Sequence, residues 1–372
     1  MLEIRFDIVQ AITIAAIFNG LIFSVLLLRK RENRKANRFL SLLLFSMSYS
    51  LAAQLCIDLG VYNYYPRLHW LPAKLVFWMG PAFYFYIKCL TAPNFQVRNV
   101  HLWHFAVIIF EYPHSVYHLI LGRINPYPRL HNFTEAMSAY ALFPLLLYSY
   151  FSFRIINNYR KALLDQYSST ELRTLAWLKQ LILMGAIILF PILIVFLVDF
   201  RIFYDYNMEF FEGTLFQYDF VITLLFILAI YWLSIGGFRQ AQIEIDQDLW
   251  PAKHKEMPKD YSLIIDTLME AMQKDKLFLD PELSIRKLTQ HTELAERDIS
   301  AALNQQLKKN FYAFVNEFRV EEVKKRLKDP QHEHLKLLSI AFDAGFNSKA
   351  TFNRIFKEYT GESPKAYREK VS

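Results

Sequence analysis

Seven apolar runs, each long enough to cross a bilayer, fill the first two thirds of this chain and constrain its fold more than any other feature. They lie at roughly 8–28, 38–57, 70–90, 101–121, 136–155, 180–200 and 215–236. A hydrocarbon core about 30 Å thick is spanned by about 20 apolar residues rising 1.5 Å each. A helix satisfies its own backbone hydrogen bonds, so each run is expected to be helical in lipid. Pro81, Pro113, Pro144 and Pro191 sit inside four of the runs. Packed membrane helices tolerate such kinks, whereas soluble helices rarely do.

Basic residues set the orientation. Arg29, Lys30, Arg31, Arg34, Lys35 and Arg38 follow the first run, Lys88 and Arg98 flank the third loop, and Arg154, Arg160, Lys161, Arg173 and Lys179 lie in the fifth. The alternate loops carry only Arg67, Arg123, Arg129 and Arg201, and the last adds Asp205, Glu209 and Glu212. An odd number of spans then puts the amino terminus outside and the carboxyl terminus in the cytoplasm. The first run is too long for a signal peptide, lacks a small-residue cleavage site and precedes a basic cluster, so it reads as a retained span. Tyrosine and phenylalanine gather at the run ends, as interfacial belts do.

The charge distribution divides the chain in two. Up to Gly236 there are 19 Lys+Arg against 13 Asp+Glu, nearly all between apolar runs; from Gly237 there are 23 against 22, spread as on a soluble surface. The overall excess of +7 therefore belongs to the membrane loops and says little about nucleic acid. The expected fold is all-α. Residues 1–236 form a seven-span membrane domain, 237–260 a polar linker broken by Pro251 and Pro258, and 261–372 a cytoplasmic helical domain. Cys56 and Cys89 fall at opposite bilayer faces in this topology and cannot pair.

The last third carries a repeated pattern. Asp260 is placed to cap a helix over 261–274, with Leu263, Ile264, Leu268, Ala271 and Met272 on one face. Ser284 caps a short helix with Ile285 and Leu288, and a turn through Thr292 and Glu293 leads to a helix over about 296–307 with Ile299, Ala302 and Leu303 inward. A longer helix over 311–327 buries Phe311, Phe314, Val315 and Phe318. Then the pattern recurs: Leu338, Ile340 and Ala341, a turn at Gly345, and a helix over 348–359 capped by Ser348. Phe352, Ile355, Phe356 and Tyr359 share its inner face; Lys349, Ala350, Asn353, Arg354 and Lys357 share the outer one. These are two helix-turn-helix units on a connector. Two such second helices can enter successive major grooves about 34 Å apart.

The residues of this repeat carry a resemblance. Ile340, Ala341, Gly345 and Phe346, then Ser348, Phe352, Arg354, Phe356 and Lys357, then Thr360, Gly361, Ser363, Pro364, Tyr367 and Arg368 resemble the marks of the AraC-type DNA-binding domain. By architecture the whole chain is similar to bacterial regulators in which such a domain follows a multi-span membrane region. The first unit departs from the pattern: Glu293 stands where the family has Gly, and Lys309-Asn310 where it has Thr-Gly. Asn310 at that place tolerates a left-handed backbone.

The resemblance implies base-edge contacts by Arg297, Ser300, Ala301 and Asn304 in the first reader helix, and by Lys349, Ala350, Thr351, Asn353 and Arg354 in the second. Arg and Lys donate to guanine, Asn pairs with adenine, and Ala touches a thymine methyl. Lys357, Lys365 and Arg368 suit phosphates, which position without specifying. From Gly237 onward the charge is near neutral, although 344–372 alone hold six basic and three acidic residues, so nonspecific affinity is expected to be modest.

Ionisable residues inside the runs are candidates for sensing a signal ligand: Lys74, Glu111, His114 and Asp219. Glu111, at mid-depth, has no route to water except through protein. Snorkelling by Lys74 and an interfacial Asp219 are the competing readings. No Gly-rich phosphate loop, H-E-x-x-H pair or cysteine pair of metal spacing is present, so no enzyme, metal or cofactor is implied. Glu321 with Lys325 and Glu322 with Arg326 read as surface pairs. The expected function is a membrane-embedded transcription regulator. Its partners would be double-stranded promoter or operator DNA, the lipid bilayer and an unidentified signal ligand; a homodimer would raise effective concentration on paired sites. The rival is a receptor or transporter whose helical tail binds a protein instead of DNA.

Overall fold

The computed structural model describes residues 7–65, 67–68, 71, 75–92, 94–106, 142–170, 174–205, 209–240 and 260–371, with the side chains of 63, 142 and 191–219 excepted. All regular structure among the described residues is helical, apart from one isolated bridge between Tyr167 and Ser284. The chain forms two compact units: residues 1–157 with 175–243, and residues 158–174 with 244–372.

The first unit contains α1 (Ile8–Arg29), α2 (Arg34–Asp58), α3 (Val76–Thr91), most of α4 (Leu142–Gln166), α5 (Ala176–Asp205) and α6 (Glu209–Arg239). Asp7 opens α1 by accepting the Gln10 amide at 2.7 Å, satisfying one of the four amides a helix start leaves unpaired. Small residues let the helices approach closely. A Cβ on Gly20 would lie 2.1 Å from Ser48 Oγ, and one on Gly237 the same distance from a Leu40 methyl. Ser24 and Ser41 donate to each other's carbonyls at 3.0 and 2.9 Å, joining α1 to α2. Lys30 donates to the Phe238 and Gln240 carbonyls at 2.7 and 3.1 Å, covering acceptors that the end of α6 leaves open.

The residue sorting in α1 is the reverse of a soluble helix. Thr13, Ala16, Gly20 and Ser24 are buried, with Leu27 the one large apolar residue among the helix's buried positions, while Phe18 is 61% and Ile22 56% exposed. Among the described residues three helical stretches, Ile8–Arg29, Arg34–Asp58 and Phe220–Arg239, are long and apolar enough to cross a membrane; Ala176–Phe190 is a shorter apolar stretch. Pro81, Pro144 and Pro191 lie inside α3, α4 and α5, as read from the sequence, and Pro113 lies outside the described residues. So does most of the expected span at 101–121, of which 101–106 is seen. Cys56 and Cys89 are free thiols.

The second unit contains α7 (Ser262–Gln273), α8 (Ile285–Thr292), α9 (Glu296–Gln305), α10 (Phe311–Lys328), α11 (Leu337–Asp343), α12 (Lys349–Thr360) and α13 (Pro364–Val371). Two apolar cores share α10. Phe311, Phe314 and Val315 close over Leu268, Met272, Leu288, Ile299 and Leu303 on one side. Tyr312, Val320, Val323 and Leu327 close over Ile340, Ala341, Phe352, Ile355 and Phe356 on the other. Each fully buried side chain of this size contributes about 1.5–3 kcal/mol, so one helix holds both halves.

Several expectations change in detail. Leu263, placed by periodicity on the inner face of α7, is 77% exposed. The helix starts at Ser262 rather than 261, and Asp260 accepts the Ser262 amide at 2.9 Å from one position further back. Asn310 is not left-handed: at φ −81° it caps α10 by accepting the Ala313 amide at 2.8 Å. Lys308 takes the left-handed conformation instead, at φ 54°. Glu321 pairs with Lys324 at 2.6 Å rather than with Lys325, while Glu322 meets Arg326 at 2.7 Å as expected. The linker is helical through Arg239, and 241–259 lie outside the described residues.

Candidate nucleic-acid interface

The second helix-turn-helix is built around a backbone position that only glycine fits. Gly345 has φ 94°, and a Cβ there would stand 2.3 Å from the Phe278 carbonyl oxygen and 2.9 Å from Arg319 Nε. Phe346 then drops into the core beside Phe352, with rings 5.3 Å apart. Ser348 accepts the Thr351 amide at 3.2 Å and starts α12. With Phe352, Ile355 and Phe356 buried at 3.6-residue spacing, the opposite face is set: Lys349, Ala350, Asn353, Arg354 and Lys357 are all exposed, and Thr351 is half-buried beside them. Tyr359 departs from its inner-face assignment by remaining 39% exposed, with its hydroxyl donating to the Ala313 carbonyl at 2.8 Å. Gly361, at φ 79°, ends the helix, and α13 packs Tyr367 against Phe356.

Between α12 and α13 runs an open groove lined by Lys349, Asn353, Lys357, Lys365 and Arg368 together with Leu337, Pro364 and Glu369, the last paired with Lys365 at 3.8 Å. Four cations beside an exposed amide are the chemistry that a phosphate backbone and a base edge require. The basic residues of this face are not equally available. Arg354 is anchored at 2.7 Å to the Tyr312 hydroxyl and at 3.3 Å to Glu358, which directs its guanidinium. Arg368, assigned to phosphate by the resemblance, donates to the Leu335 carbonyl at 2.8 Å and to that of Glu333. It braces the loop before α11.

The first helix-turn-helix reaches similar geometry with different residues. Ser284 accepts the Lys287 amide at 3.3 Å to start α8. Its closing residue, Glu293, takes the left-handed conformation at φ 58°, so the turn survives without glycine under some backbone strain. On α9, Arg297 is exposed and Ser300 half-buried. Ala301 does not share their face: it is 5% exposed and packed with Tyr261 and Ala302, so its methyl is turned away from any base. Asn304 is exposed, but its amide donates to the Ser300 carbonyl at 3.0 Å and to Asp165 Oδ1 at 3.4 Å.

Between the halves lies a polar centre that the sequence reading missed. Arg319, 1% exposed, donates to the carbonyls of Phe278 (2.8 Å), Asp280 (2.7 Å) and Ser168 (3.2 Å) and to Ser168 Oγ (2.9 Å). Burial lowers its pKa to about 10, which still leaves it charged at neutral pH. Burial also acts to raise Asp280, but hydrogen bonds from Lys287 and the Glu282 amide, with the nearby charges of Lys287 and Arg319, hold that carboxyl below its usual range. The available signal was register: Val315, Arg319 and Val323 fall on one helix stripe, and an arginine between two core valines has to be satisfied internally.

The expected membrane-site residues cannot be assembled in the same way. Lys74, Glu111 and His114 lie outside the described residues, and Asp219 falls in α6 at a position whose side chain is not described.

Residues 288–370 match the family described as a helix-turn-helix domain, which is not an enzyme family. Among curated proteins, the chain is similar to uncharacterized HTH-type transcriptional regulators of Staphylococcus aureus strains COL, MSSA476 and N315. Each is 31% identical over 93 residues, or 25% of this chain. The matched stretch is 12% of the length of those relatives. No solved structure matches the chain.

Proposed function

We propose that this chain is a membrane-embedded transcription regulator in which the second unit reads duplex DNA and the apolar helices sense a signal. The observation that carries the DNA reading is the outer face of α12. Lys349, Ala350, Asn353, Arg354 and Lys357 stand exposed on a helix started by Ser348, inside a segment matched to a helix-turn-helix domain. An exposed Asn flanked by Lys and Arg is suited to adenine and guanine edges, and Lys357 and Lys365 to phosphates. In the first unit Arg297, Ser300 and Asn304 would contribute and Ala301 would not.

The membrane reading rests on α1, α2 and Phe220–Arg239, which meet the length and apolarity of a span, and on the outward display of Phe18, Ile22 and Leu228. Large apolar side chains outside and small or hydroxylated ones inside is the sorting expected when the surrounding solvent is lipid. With the remaining apolar runs the chain makes seven spans, amino terminus outside, and delivers the reader to the cytoplasm. Lys74, Glu111, His114 and Asp219 are the proposed sensing residues. A ligand there moves the reader only through its differential affinity for two arrangements.

The test is genome-wide DNA capture with the full-length protein in membranes, compared with Asn353→Ala and with deletion of 344–372. A shared sequence motif that disappears on deletion and loses its preference at one position in Asn353→Ala supports the reading. Capture without sequence preference, or protease access to the second unit from outside the cell, overturns it. For the sensing residues, Glu111→Gln should alter the signal response at unchanged membrane abundance; an unaltered response removes the pocket.

A further inference from the structure

Residues 158–170 precede the DNA-reading segment by more than a hundred positions, yet they belong to its compact unit. They are the last turns of α4 and the extended residues after it. Ser168, 1% exposed, donates through both its amide and its hydroxyl to the Leu283 carbonyl, at 3.1 and 2.7 Å. Its own carbonyl accepts from Arg319 and from Asn316, each at 3.2 Å. Tyr167 bridges to Ser284, the residue that starts α8. Ser169 takes a 2.8 Å bond from Asn347, the residue before the cap of α12. Leu164 packs on the second core. One strap thus touches the first helix-turn-helix, the connector and the start of the second reader helix. A segment bonded at this many buried points is a component of the domain.

The strap also carries a charge to the reading face. Asp165 accepts from Asn304 on α9 at 3.4 Å. That amide is the group an adenine edge needs from this helix, and a carboxylate beside it repels approaching phosphates over a distance set by salt.

Resting on the DNA-reading function above, we propose that 158–170 form an autoinhibitory latch: the strap is seated in the reader and Asp165 masks the first reader helix. The strap ends α4 and leads into α5 in sequence, so a shift of either apolar helix pulls on the latch directly. Among the described residues no hydrogen bond or ion pair joins Lys349, Asn353, Arg354 or Lys357 to the strap, so the second reader helix stays open throughout. DNA would therefore be held by one half until the latch lifts and the other half engages.

The experiment uses the full-length chain in lipid nanodiscs and a random-sequence duplex of about 30 base pairs. Asp165→Asn keeps the side chain's shape and removes its charge. It should tighten duplex binding roughly threefold to tenfold at low salt, with the gain shrinking as salt rises. Separately, Ser169→Cys with Asn347→Cys, in a background with Cys56→Ser and Cys89→Ser, should form a disulfide under mild oxidation, and the oxidised form should bind the duplex at least threefold more weakly than the reduced one. If the unmodified chain binds and Asp165→Asn binds no more tightly, or if the cross-linked form binds as tightly as the reduced one, the latch is overturned while the DNA reading stands. If no form binds the duplex, the DNA reading falls and the latch with it.

Discussion

The two helix-turn-helix halves of the second unit have the same plan and different degrees of independence. The second half turns on Gly345, a residue with no Cβ to clash, and its outer face is exposed, with Arg354 tied to Tyr312 of the connector. The first half turns on Glu293 in a left-handed conformation, buries Ala301 under Tyr261, and gives Asn304 an acidic partner from a distant segment. Both halves touch residues from elsewhere in the chain, but in the second they sit at the turn and cap, at Gly345 and Asn347, whereas in the first one reaches the outer face itself, at Asn304.

The largest test of this contrast is Arg319→Met. It removes several buried charge-assisted hydrogen bonds at once, to the carbonyls of Phe278, Asp280 and Ser168, and their combined loss costs about 3–5 kcal/mol. Thermal unfolding should report that loss in both halves, because the arginine belongs to neither. If the second half melts unchanged, the halves are not joined through this centre.

Next in size is the base-reading pair. Asn353→Ala should lower discrimination at one adenine position by about 1–3 kcal/mol, read as binding to matched against substituted duplexes. Asn304→Ala should change binding by less than about threefold while Asp165 is in place, since its amide is already engaged. Equal losses at both positions would erase the difference between the halves.

Caps give a smaller comparison. Ser348→Ala should cost about 1 kcal/mol, and Ser284→Ala about the same or less given its longer 3.3 Å bond. Unfolding midpoints in urea at constant slope would measure both. Smallest is Glu293→Gly, which relieves a left-handed residue while adding freedom to the unfolded chain. A net gain of about 0.5 kcal/mol is expected, and Gly345→Ala should lose far more because its Cβ meets backbone. A Glu293→Gly variant less stable than the parent would show that the first turn carries no strain.

Much of the reader was legible from residue spacing. Ser284 and Ser348 cap where periodicity puts them, Phe352, Ile355 and Phe356 are buried, and Lys349, Asn353 and Lys357 face outward. These are local relations among residues within a turn or two, governed by helix period and cap chemistry. Leu263 and Tyr359, placed inward by periodicity, are exposed. Both depend on what a neighbouring element covers, and periodicity around one helix does not say how wide that cover is. Asn310 shows a residue with two permitted uses, cap or left-handed turn, between which the start of α10 decided.

What the sequence by itself determined is the set of elements: apolar stretches of spanning length, two repeated helix pairs on a connector, and which face of each reader helix is polar. Those follow from hydrophobic period and from backbone donors and acceptors that have to be satisfied locally. Only the tertiary structure decided that 158–170 enter the reader, that Ser168 satisfies Arg319, and that Asp165 meets Asn304. The physical reason is range. Each of those contacts joins residues more than a hundred positions apart, through hydrogen bonds whose partners nothing in either local pattern names.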